Sequence, residues 1–294
     1  MSKWSGVAVG TAMTAVSALG FSTLPIFGVV AYRAGANVVT LLGYRFLMAA
    51  ALLWLYVWVT RQPLPQKRVG AQLLFMGGVG YTTMSFLYLS AVAGDRLSPA
   101  MAALLLYTYP AIVVLLAWRF DGYRVTGRQG AALLAALAGV ALVLVTPGAG
   151  ALFSWMGAGL ALGAAVVYAT YILFGSRVTV QLPPVVVTTY VSTAAAVVFL
   201  AYGAVSGQLV AMAPSGWWAV GGTAVFATVL AVLTFFAGIE RLGPSRASII
   251  STLEPVGTAA LSALLFGDRL GGGQLLGGLF VLGGIIWLQA RREA

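Results

Sequence analysis

Two ionisable residues, Glu254 and Arg45, stand inside strongly apolar sequence. Glu254 falls about ten residues into the apolar run 244–266, and at a rise of roughly 1.5 Å per residue that is the middle of a membrane-length helix. An ionised carboxylate in hydrocarbon costs on the order of several kcal/mol unless it faces water, a cation or a partner. Either Glu254 handles a proton or cation, or it is a neutral or arginine-paired side chain that only fixes helix packing. Pro255 follows at once. Proline has no N–H to donate, so it loosens the preceding turn and leaves the carbonyls of Ser251 and Leu253 open to a ligand or cation.

Arg45 sits in the second apolar run, 38–59, roughly 10 Å below its outer end by the same rise. Three settings suit it: pairing with Glu254, binding a substrate carboxylate, or snorkelling outward along its stem. Deep in other runs lie Thr23, Tyr81, Ser85, Tyr88, Tyr107, Tyr109, Tyr168 and Tyr171. A phenol in lipid wastes its hydrogen bond, so most of these side chains should point into a helix bundle. The candidate cavity residues are therefore Glu254, Arg45, Thr23, Tyr81, Ser85, Tyr107, Tyr109, Tyr168, Tyr171 and Ser251, with Pro110 and Pro255 as hinges. A mixture this aromatic and sparsely charged suits a small amphipathic solute. A phosphate would call for more than one or two buried cations.

The elements that must carry these residues follow from composition. Hydrophobic residues make up 61% of the 294-residue chain and charged residues 7%, too few to cover a water-soluble surface. Apolar runs at roughly 6–30, 38–59, 70–92, 98–118, 128–146, 154–174, 183–204, 216–239, 244–266 and 272–290 each approach the ~20 residues that span a bilayer. The chain thus reads as an all-α polytopic membrane protein with ten transmembrane helices. It has no cysteine and no histidine, which excludes disulfides, redox thiols and histidine-ligated metals. Six acids in total, none paired on one helix face, leave little for acid–base catalysis, so neither an enzyme nor a cofactor or metal is expected. The net charge of +10 comes from arginines in short loops, where membrane orientation wants them, so nucleic acid is not an expected partner.

The chain also copies itself. Arg96, Leu97, Ala102, Pro110, Leu116, Gly127 and Gln129 recur at one fixed spacing of 145 residues as Arg241, Leu242, Ala247, Pro255, Leu261, Gly272 and Gln274. That predicts two five-helix halves, 1–147 and 148–294. Because five is odd, the second half enters the membrane from the opposite side, as in alternating-access transporters with a site between their halves. With a cytoplasmic N-terminus, twelve lysines and arginines fall on that side and three, Arg33, Arg96 and Arg269, on the other, so both termini should be cytoplasmic. The fifth and tenth spans carry small residues, among them Gly139, Gly277 and Gly284, and read as scaffold or homodimer surface. The other eight should build the cavity.

The stretch Glu254-Pro255-Val256, then Gly267-Asp268-Arg269-Leu270 and Gln274 with Gly277 or Gly278, resembles the helix-nine-to-ten signature of the EamA-type family of the drug/metabolite transporter superfamily. Tyr44-Arg45-Phe46 resembles that family's arginine-bearing motif in helix two. The likeness covers the whole chain. Phe21 stands where a tryptophan is common, and Asp268 replaces the usual glutamate. The resemblance implies a basket of helices, one to four and six to nine around a cavity with five and ten apart. It also implies a secondary transporter of the plasma (inner) membrane, with amino-acid exporters as the nearest analogy. The alternatives are an uncoupled facilitator or channel, or an exporter of drugs or other organic metabolites.

Overall fold

The computed structural model describes residues 3–120, 126–146, 152–178, 182–242, 247 and 250–289, and the regular structure among them is entirely helical. The helices are α1 (Lys3–Arg33) and α2 (Val38–Val59), α3 (Lys67–Asp95) and α4 (Pro99–Phe120), α5 (Gly127–Val145), α6 (Trp155–Val178) and α7 (Pro184–Ser206), α8 (Pro214–Leu242), and α9 (Leu253–Phe266) and α10 (Gly272–Gln289). The first eight are long and apolar enough to cross a membrane, while α9 and α10 are shorter apolar helices. The ninth span predicted over 244–266 is helical at 247, 250 and 251 and, after a turn at Thr252, over Leu253–Phe266, which is α9 proper; residues 243–246, 248 and 249 lie outside the described part. The expected boundary between halves, at 147 and 148, lies outside it too.

Local chemistry sets the helix starts. Asn37 caps α2 by accepting from the Thr40 N–H at 2.8 Å, and Ser98 caps α4 by accepting from the Met101 N–H at 3.3 Å. Thr126 and Gln129 form a reciprocal capping box at the start of α5. Each arrangement satisfies N–H groups that the first turn leaves without partners. Pro99, Pro184 and Pro214 occupy first-turn positions of α4, α7 and α8, where a missing N–H costs nothing.

Helix packing follows one rule throughout. α2 lies against α7, α4 against α9 and α5 against α10; α1 packs on α8 and α9 as α6 packs on α3 and α4; and α2 meets α8 as α7 meets α3. Shifting every helix by five maps this set of contacts onto itself. The self-paired helices run antiparallel. Trp54 Nε1 donates to Thr193 Oγ1 at 2.9 Å near one end of the α2–α7 pair, and Thr40 Oγ1 donates to the Gln208 carbonyl at 3.1 Å near the other. In the α5–α10 pair Arg128, in the first turn of α5, donates to the Trp287 carbonyl near the end of α10 at 2.8 Å. At their crossing a Cβ on Gly139 would stand 2.5 Å from the Gly277 carbonyl oxygen, and one on Gly277 would stand 2.7 Å from that of Gly139. Only glycine lets the backbones approach this closely.

Four helices depart from regular winding, and the departures are also paired. α3 and α8 each contain a six-residue π-type stretch, Met76–Tyr81 and Val225–Leu230. The Thr82 hydroxyl donates to the Gly77 carbonyl at 2.7 Å and the Thr228 hydroxyl to the Thr223 carbonyl at 2.9 Å, so a threonine secures each loosened turn. α4 breaks after Leu106 and resumes at Tyr109, just before Pro110. α9 begins at Leu253, just before Pro255. Both breaks fall where proline cannot donate to the carbonyl four residues earlier.

Candidate functional site

A cavity of about 590 Å³ opens between the helices. Its lining includes Phe21 of α1, Tyr81 of α3, Thr228 of α8, Gly175 of α6, Leu182, Pro184 and Gln129. Its lining comes from α1, α3 to α9 and the segment before α7. α2 contributes nothing to it, whereas the sequence reading gave α2 a place and left α5 out. Gln129, in the first turn of α5, is the residue that brings this helix into the wall.

Five phenols form a continuous chain along this space. Tyr107 meets Tyr109 edge-on at 5.8 Å between ring centres, Tyr109 meets Tyr168 at 4.7 Å, Tyr168 stacks on Tyr171 at 6.1 Å, and Tyr171 lies 5.6 Å from Tyr81. Edge-to-face and offset geometries at these separations are favourable beyond area burial. Tyr107 sits in the break of α4 and Tyr109 opens the helix that follows, so the discontinuity aims two adjacent phenols inward where a regular helix would fan them about 100° apart for each residue.

At one end of the chain stands Glu254. The Tyr107 hydroxyl is 2.9 Å from Glu254 Oε2 and donates to the Ser251 carbonyl at 2.6 Å. That carbonyl would bond residue 255 in an unbroken helix, and Pro255 cannot supply the proton. A phenol from the opposite half therefore takes the place of the missing N–H. At the other end Tyr81 lies 5.7 Å from Phe46, whose ring carries the Arg45 guanidinium at 4.7 Å.

The structure thus brings together Glu254, Ser251, Tyr81, Tyr107, Tyr109, Tyr168 and Tyr171, with Pro110 in the wall. Arg45, Thr23, Ser85 and Pro255 do not line the cavity. Thr23 turns back to the Gly20 carbonyl at 2.6 Å, Ser85 is buried, and Pro255 acts from behind, through Ser251. Two of the three settings expected for Arg45, snorkelling and an ion pair with Glu254, are not seen among the described residues. It is 1% exposed, so it does not snorkel. Its Nε donates to Thr228 Oγ1 at 3.1 Å, and no ion pair joins it to Glu254 among the described residues. Arg45 also hydrogen-bonds Tyr81, so it stands directly behind two residues of the cavity wall, Thr228 and Tyr81. Phe21, singled out in the sequence as a departure from the family pattern, is in the wall; missed from sequence were Phe235, Phe236, Val191 and Thr228. The apolar members look like any lipid-facing residue, and only the threonine in an apolar run was a usable signal.

The sequence profile of the EamA-like transporter family matches residues 8–145 and again 155–289. The chain belongs to the EamA-like transporter family. As a member of it, within the drug/metabolite transporter superfamily, the protein is a multi-pass membrane transporter. This EamA protein is 30% identical over 285 residues to an uncharacterized transporter, YcbK, of Bacillus subtilis strain 168, a match covering 94% of this chain and 91% of the relative. It also superimposes on a protein of known crystal structure with a TM-score of 0.67 at 21% identity, over 96% of this chain and 99% of that one. At that identity the likeness speaks for the fold alone.

Proposed function

We propose that this EamA protein is a secondary transporter that moves small amphipathic metabolites, amino acids foremost, outward across the cytoplasmic membrane by alternating access. In this reading the chain is two inverted repeats of five spans, 1–147 and 148–294, with both termini in the cytoplasm. The matched helix contacts and the antiparallel α2–α7 and α5–α10 pairs support the inversion.

The observation that carries the proposal is the chain of five phenols ending at Glu254 beside a cavity of about 590 Å³. That volume suits a solute of metabolite size. Ring faces accept an apolar or cationic group, and among the described residues Glu254 is the only acid in the wall, matching an ammonium group. Residues of both halves share the wall, so movement of one half against the other changes access to the same site. Proline-linked breaks at Pro110 and Pro255 supply the bending points.

The test is efflux from liposomes loaded with a pooled amino-acid and metabolite mixture, followed by mass spectrometry and counterflow with each solute that leaves. Saturable efflux with counterflow is expected. Flux without counterflow would make the protein a channel, and no protein-dependent efflux of any pool member would overturn the substrate class.

A further inference from the structure

The contact between α4 and α9 contains one proton with two claimants. The Tyr107 hydroxyl lies 2.6 Å from the Ser251 carbonyl oxygen and 2.9 Å from Glu254 Oε2, and a phenol has a single proton to give. We propose that Tyr107 is the positioning residue that ties the ionisation of Glu254 to the clamp between the two broken helices, by donating its one hydrogen bond either to the carboxylate or to the Ser251 carbonyl. This deepens the transport reading above, on which it rests.

When Glu254 carries a proton, its carboxyl O–H donates to the Tyr107 oxygen and the phenolic proton remains on the Ser251 carbonyl, so α4 holds α9 across its break. When Glu254 is ionised it can only accept, and a charge-assisted bond is roughly twice as strong as a neutral one. The phenolic proton then turns to the carboxylate. The Ser251 carbonyl, already deprived of a helical donor by Pro255, loses its substitute as well. A half-buried carbonyl left without a donor is unfavourable, so the turn before Pro255 is released to find water in the cavity or another partner. No proton leaves Tyr107 in either state; only its direction changes.

The groups that face Glu254 electrostatically are phenols: Tyr107 and Tyr109 on α4, Tyr168 on α6 and Tyr88 on α3. α1, packed along α9, presents Ser22 to Gly257 and Thr258. At the repeat position of Glu254 stands Tyr109, a neutral phenol, so the device exists in one half only.

The chain has no cysteine, which gives a readout that needs no solute. Thr188 lines the cavity, and Thr188→Cys can be labelled with an impermeant maleimide in liposomes from mildly acidic to mildly alkaline pH. The rates are normalised to the same chain in denaturant to remove the titration of the thiol itself. We expect the normalised rate to change severalfold with pH, and the change to vanish in Tyr107→Phe, which keeps the ring, and in Glu254→Gln. Pro255→Ala returns an N–H to the Ser251 carbonyl and should flatten the profile with the phenol still in place. A pH dependence that survives Tyr107→Phe, or one absent from the parent, overturns the proposal. Absence of solute flux would count against the transport reading without touching this result.

Discussion

Arg45 Nε lies 3.1 Å from the Thr228 hydroxyl, which in turn donates to the Thr223 carbonyl at 2.9 Å. The only charged side chain that is fully buried in α2 is thereby spent on the π-type stretch of α8. Its guanidinium also lies over the Phe46 ring at the far end of the phenol chain. The arginine thus touches a turn whose residues Ala227 and Thr228 line the cavity, and it bonds Tyr81 in the same wall.

Arg45→Met, which keeps the stem and removes the charge, should therefore lower stability by about 1–3 kcal/mol, because Thr228 and the ring lose a partner in a buried site. Thermal unfolding in detergent measures this. A tenfold rise in solute KM with an unchanged melting temperature would instead return Arg45 to the binding site.

Glu254→Gln is an isostere of the protonated acid. Under proton coupling it should lose gradient-driven accumulation by at least about tenfold while solute exchange persists, since exchange needs no change of protonation. Parallel accumulation and counterflow assays in liposomes separate the cases. Full accumulation by the variant would exclude Glu254 as the coupling group, and loss of both activities would show that it acts chiefly as the ammonium ligand proposed above.

Pro110→Ala and Pro255→Ala each restore one backbone donor and stiffen a break. The expected result is a severalfold fall in turnover with solute affinity little changed, read from kcat against KM. Pro255→Ala should show the larger effect, because its carbonyl at Ser251 also anchors Tyr107. Unchanged turnover in both would remove the hinges.

Orientation rests on the loop charges. A cysteine replacing Gly148, which lies outside the described residues, should react with an impermeant thiol reagent in intact cells, and one replacing Gln66 should not. The reverse pattern would invert the topology and with it the direction in which the cavity opens.

Sequence alone determined that this is a helical membrane protein, because 7% charge over 294 residues cannot cover a water-soluble surface, and of the two structures that satisfy the backbone in a bilayer long apolar runs fit the helix and lack the alternation of a barrel strand. It also marked Pro110 and Pro255 as breaks, since a residue without an N–H interrupts a helix whatever surrounds it. It singled out Glu254 and the phenols Tyr107, Tyr109, Tyr168 and Tyr171, because polar atoms in hydrocarbon must point inward. What it left open is which inward-pointing groups meet. Arg45 and Glu254 look like partners in a list of buried charges, yet they stand at opposite ends of an aromatic chain, and only the packing of α2 against α7 and α8 decides that. The Tyr107–Ser251 bond joins residues 144 apart, and the π-type stretches of α3 and α8 carry no sequence mark stronger than a threonine. Such contacts arise when two halves close on each other, so the partner of each buried group is a property of the interface, whereas its burial is a property of the helix that carries it.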